Sequence, residues 1–135
     1  MSTAYYVVFL FAVLFAIFLI AYLFERRRLS HFWDRGCQGL RWHRRFPGEG
    51  VTQFREFLTI FIDAFGFSRK RVSYFSPDDR VLDIYDSIYP PGTMGDSMEL
   101  EDFVLRLEER YRFDIDSVWR EDVTLGELFE RIRVN

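Results

Sequence analysis

From Ala4 to Phe24 the chain is apolar at nearly every position, and Ser2 to Phe24, "STAYYVVFLFAVLFAIFLIAYLF", carries no charge. As a helix rising about 1.5 Å per residue, those 21 apolar residues extend about 31 Å, close to the thickness of a bilayer's hydrocarbon core. A cleaved signal peptide would place basic residues before the apolar run and small residues after it. Here neither Lys nor Arg precedes the run and it ends in "FERRR", so residues 1–24 are expected to be a retained transmembrane anchor. The basic residues that follow, Arg26, Arg27, Arg28, Arg35, Arg41, Arg44 and Arg45, all lie on its C-terminal side. By the positive-inside rule, the N-terminus is expected outside, with residues 25–135 in the cytoplasm. Tyr5, Tyr6 and Tyr22 stand where interfacial aromatics belong.

After the anchor the pattern becomes amphipathic. Between residues 25 and 46, Leu29, Phe32, Trp33, Gly36, Cys37 and Leu40 recur at helical spacing, with Arg35, Arg41 and Arg45 mostly elsewhere. That predicts either a basic juxtamembrane helix on the membrane surface, with Trp33 and Trp42 at headgroup depth, or a plain basic linker. Cys37 reads as an inert small apolar residue, S-acylation being the other possibility. "FPGEG" ends the segment, so residues 25–50 are set apart as a linker and 51–135 as a domain. In the domain the period is helical throughout. Val51, Phe54, Phe57, Leu58, Phe61, Ile62 and Phe65 share one face, and Gly66 suits a helix end. "SPDD" at 76–79 predicts a helix start, with Val81, Leu82, Tyr85 and Ile88 on its buried side. Leu100, Phe103, Val104, Leu107 and Tyr111 define a helix over about 98–112. "TLGE" at 124–127 is a capping box leading a helix that buries Leu125, Leu128, Phe129 and Ile132. No segment alternates with period two, so the fold class is expected to be all-α.

Charge divides the chain in the same place. Residues 1–50 hold seven Arg against three acids, while residues 51–135 hold eleven Lys or Arg against eighteen Asp or Glu. The halves therefore face different partners. A single cysteine excludes an intramolecular disulfide and fits a reducing compartment. The domain has neither His nor Cys, which removes the usual nucleophiles, general bases and zinc sets, so no enzyme is expected. Asp78, Asp79, Asp83 and Asp86 lack the Gly and terminal Glu of a calcium loop and read as a solvated acidic face, so no metal is expected. Nucleic-acid binding would have to use the basic stretch beside the membrane, because the domain itself is acidic, and none is expected.

The remaining candidate chemistry is "MGDSMELEDFVLRLEERY" at 94–111. Asp96 with Glu99 three residues on forms a capping box, which explains "DSME" without any function. A serine at the exposed start of an acidic helix, after a Gly-containing loop and in a domain without catalytic groups, is also what a tethering site requires. The stretch resembles the acyl or peptidyl carrier protein family. Asp96 and Ser97 match that family's D-S pair, Met98 its usual leucine, Asp102 a characteristic acid, Leu107 and Glu108 its L-E, and Tyr111 its closing aromatic. "FDI" at 113–115 and "TLGELFERI" at 124–132 are similar to the later family segments, so the resemblance spans about residues 51–133.

The resemblance implies a four-helix carrier-like bundle behind the anchor, with 4′-phosphopantetheine on Ser97, flanked by Asp96 and Met98. The arm would be attached by a phosphopantetheinyl transferase and loaded by acyl-activating or acyl-transferring enzymes. Glu99, Asp102 and Glu108 would present the helix to those partners, at the membrane and with no role for nucleic acid. The other reading is an unmodified carrier-like adaptor that recruits a basic partner protein to the membrane.

Overall fold

The structure, a computed structural model, describes residues 2–89 and 98–134. It is all-α, with six α-helices among the described residues, α1 (Ser2–Asp34), α2 (Gly39–Arg45), α3 (Val51–Phe65), α4 (Val81–Ile88), α5 (Met98–Tyr111) and α6 (Leu125–Val134), and 3-10 turns at Arg69–Tyr74 and Ile115–Ser117. No strand occurs among the described residues, only an isolated antiparallel bridge between Arg80 and Thr124.

The first helix is long and apolar enough to cross a membrane, and none of its most apolar stretch is buried. It does not stop where the apolar run stops. It continues through the arginines to Asp34 and delivers Phe32, 3 % exposed, into the core of the domain. The chain then breaks at Gly36, whose φ of +77° is left-handed, and Gln38 N–H donates to the Ser73 carbonyl at 2.7 Å. Helix α2 follows. The surface-lying helix expected over 25–46 is thus two helices with a turn between them, and its side chains point differently from the periodicity. Leu40 and the free thiol Cys37 are exposed. Trp42, expected at headgroup depth, is instead 1 % exposed at the centre of an aromatic cluster with Phe46, Phe54, Phe57 and Phe129, at centroid distances of 5.6–6.1 Å. Its indole N–H donates to the Phe75 carbonyl at 2.8 Å. Burying so large a ring is favourable only when that polar edge finds an acceptor, and the Phe75 backbone supplies one.

Helix α3 matches its periodicity: Phe54, Phe57, Leu58, Phe61, Ile62 and Phe65 are buried, while Val51 is exposed at the first turn. Gly66 closes it in the left-handed conformation, φ +73°, with Phe67 N–H reaching back to Ile62 O at 3.0 Å.

The expected start of α4 at Ser76 is corrected to Val81. Residues 76–79 do make a capping-box pattern: Ser76 Oγ accepts from Asp78 N–H, and Asp79 Oδ2 from Ser76 N–H at 2.7 Å. The turn is not propagated, because its carbonyls serve another helix. Gly126 N–H donates to Pro77 O and Leu125 N–H to Asp79 O, both at 2.9 Å, while Val81 N–H bonds Val123 O at 3.1 Å. Ile84, absent from the expected buried side, is fully buried beside Val81, and Leu82, Tyr85 and Ile88 are half-buried. In α6, Thr124 Oγ1 accepts from Glu127 N–H at 3.1 Å, which is half of the expected capping box. The Glu127 carboxylate turns away to Arg120 at 2.6 Å.

Candidate functional site

Helix α5 packs on α3 through Phe103 and Leu107, both fully buried. The Phe103 ring lies 5.3–6.4 Å from those of Phe57, Phe61 and Phe65. This fixes which side of α5 faces outward. Met98 is 63 % exposed at the first turn. Glu99 is half-buried and its Oε1 accepts from the Tyr89 hydroxyl at 2.5 Å, so the end of α4 and the start of α5 are held together. Its other oxygen, Oε2, is shielded from solvent and lacks a hydrogen-bond partner among the described residues. Asp96 and Ser97, the predicted D-S pair, lie outside the described residues.

The three acids expected to present one surface are not gathered. At about 100° per residue, Glu99 and Glu108 sit about 180° apart around α5, on opposite flanks of its buried stripe. Asp102 points outward and is paired with Arg106 at 3.0 Å, one turn along. That carboxylate, through its hydrogen bond first and its charge second, raises the Arg106 pKa above its ordinary value. At the far end of α5, Arg110 pairs with Glu56 of α3. Tyr111 is half-buried there: burial foremost, and the Glu56 carboxylate after it, push its phenol above the ordinary 10.0, against the opposing pull of Arg110. Beyond α5, Phe113 and Ile115 of the "FDI" segment enter the core. Asp114 caps the short turn by accepting from Asp116 N–H at 3.1 Å.

Two polar arrangements had no clear sign in the sequence. The guanidinium of Arg35, just past α1, grips the Asp79 carboxylate with both terminal nitrogens and donates to the Tyr74 carbonyl at 2.8 Å. Asp79 is 9 % exposed, so the expectation of a solvated acid is corrected at this position. Arg71 stacks on Trp33 and Tyr74, its guanidinium carbon 4.6 and 5.1 Å from the ring centroids. Both depend on segments some forty residues apart, so spacing could not announce them. Among the described residues no cluster of His, Cys, Asp and Glu could hold a metal.

Compared with protein-family models, with curated proteins and with solved structures, the chain has no significant match.

Proposed function

We propose that this chain is a membrane-anchored acyl carrier-like protein, N-terminus outside, presenting an acyl or aminoacyl group on 4′-phosphopantetheine at Ser97 to partner enzymes at the cytoplasmic face. One observation carries the reading: α5, described from Met98 to Tyr111 and following the D-S pair in sequence, is succeeded by the Ile115–Ser117 turn and the Thr124-capped α6. That is the succession of elements the family resemblance implies. The described residues fit such a group at their edge. Met98, the first described residue of α5, is exposed, and the backbone N–H groups at the start of a helix favour a phosphodiester beside them. When bound, the group supplies a thiol that carries the acyl chain as a thioester. Met98, Glu99 and the Asp102–Arg106 pair are then what a partner meets first, and the chemistry belongs to that partner.

Intact-protein mass spectrometry of the chain from its native host tests this. The expected result is one phosphopantetheine increment that disappears in Ser97→Ala while the fold is kept. An unmodified mass, with no transfer from coenzyme A by a broad-specificity phosphopantetheinyl transferase, overturns it.

The second reading, an unmodified adaptor that recruits a basic partner protein, is favoured by the filling of the core. Phe103 beneath the start of α5 is 0 % exposed among three Phe rings, so the domain offers surface rather than volume there. It predicts that reversing Glu99, Asp102 and Glu108 loses a partner in pull-down while Ser97→Ala keeps it.

A further inference from the structure

The basic cluster "SRKR" at 68–71 is not used by either reading, and the fold carries it to the anchor. At the distal end of α1, Arg35 is bonded to Tyr74 and Asp79. From there α4 runs back along α1 until Ile88 shares a cleft with Leu29 and Tyr22. The 3-10 turn runs along the same helix, so Phe67 stacks edge-on against Trp33 at 5.6 Å. The open cleft between them, about 450 Å³, is lined by Tyr22, Leu29, Trp33, Phe67 and Ile88, and by Arg71. Tyr22 belongs to the apolar run, and Trp33 stands about 16 Å further along α1. The cleft therefore begins within the span and ends beside a cation.

We propose that this cleft binds one anionic phospholipid, its phosphate at Arg71 and its apolar part against Tyr22, Leu29, Phe67 and Ile88. The proposal rests on the anchor of the proposed function and not on Ser97. Three observations carry it. The wall is continuous with the exposed apolar surface of α1, so the compound that fills it in a bilayer is a lipid. Residues 66–71 hold three cations and no acid. Of these, Arg69 is paired with Asp63 at 3.1 Å, whereas Arg71 is held by ring faces and has no ion-pair partner among the described residues. Its charge is thus positioned without being neutralised, which suits a phosphate at headgroup level. Each such cation near an anionic surface strengthens association about fivefold.

Trp33 reports on its own cleft. The full chain is placed in nanodiscs of mixed phosphatidylglycerol and phosphatidylcholine, with bromine on the acyl chains of one lipid or the other at equal mole fraction. The Trp33 component is the emission lost in Trp33→Phe. The expected result is that brominated phosphatidylglycerol quenches it several-fold more than brominated phosphatidylcholine. Arg71→Gln, with unchanged circular dichroism, should reduce that preference about fivefold, whereas Lys70→Gln keeps most of it. Equal quenching by the two lipids, or a preference that survives Arg71→Gln, overturns the site while leaving the anchor standing. A chain that does not co-purify with the nanodiscs overturns the anchor and the site together.

Discussion

Trp42 shows how much one side chain can join. It belongs to a segment whose arginines suggest a surface, yet its ring touches α3 and α6 and its N–H satisfies a carbonyl in the loop before α4. Truncating a buried Trp or Phe costs about 3–5 kcal/mol, so Trp42→Ala should lower the unfolding free energy of the micelle-bound chain by that much, read from the shift of its denaturation midpoint. Trp42→Phe should retain more packing but leave the Phe75 carbonyl unpaired, at about 1–3 kcal/mol. Asp79 is the polar counterpart. Asp79→Ala strands the Arg35 guanidinium and frees Ser76 N–H, a loss expected at about 2–4 kcal/mol and read from the same midpoint. Tyr111 gives a pH signature. Because its folded-state pKa is raised, its contribution to stability is full below pH 10.0 and is lost as pH rises from there through the folded value. Alkaline titration should therefore unfold the protein less steeply in Tyr111→Phe; an unchanged alkaline limb contradicts this. At this scale the sequence exposes apolar burial well, as Phe103, Leu107 and Ile132 show. It hides polar pairing, because Arg35 and Asp79 acquire meaning only once the chain has folded back.

Helices with one long apolar stripe were legible from their period: α3 begins and ends where its pattern does, α5 ends within a residue of its pattern, and α6 begins at the residue after its capping Thr124. The misread elements are those whose backbone is claimed by a distant segment. The turn at 76–79 has the side chains of a helix start, but α6 takes the carbonyls that a helix would use. This contact also explains a glycine that the capping motif does not require. A Cβ built on Gly126 would lie 2.8 Å from Pro77 O and 2.5 Å from an Arg45 nitrogen. The arginine can move; the carbonyl cannot move far without losing its bond to Gly126 N–H. Gly126→Ala, favourable by helix propensity alone, should instead destabilise by about 1–3 kcal/mol, whereas Thr124→Ala, which removes only the cap, should cost about 1 kcal/mol. Thermal unfolding of the two variants distinguishes them, and a stabilised Gly126→Ala would show that α6 is free to shift.

At the scale of the molecule, the break at "FPGEG" looks like a domain boundary because Pro and Gly interrupt the pattern, but Phe32, Trp42 and Phe46 belong to the same core as α3 and α6. A fragment of residues 25–135 should fold. One of residues 51–135 loses three buried aromatics at about 3–5 kcal/mol each, as much as the roughly 5–15 kcal/mol by which small domains are stable. Dispersed amide proton signals for the longer fragment and collapsed ones for the shorter would confirm it; a folded 51–135 would contradict it. What composition did convey at this scale is the partition of charge and the apolar first helix, since neither depends on how the chain folds back. The aromatic cluster around Trp42 has a further consequence in time. Phe129, which closes it at 5.7 Å, is synthesised 87 residues after Trp42. At about 5–20 residues per second the interval is roughly 4–17 s. Throughout it the nascent protein carries an open face of Trp and Phe rings that α6 has yet to cover, and it needs shelter until the ribosome delivers that helix.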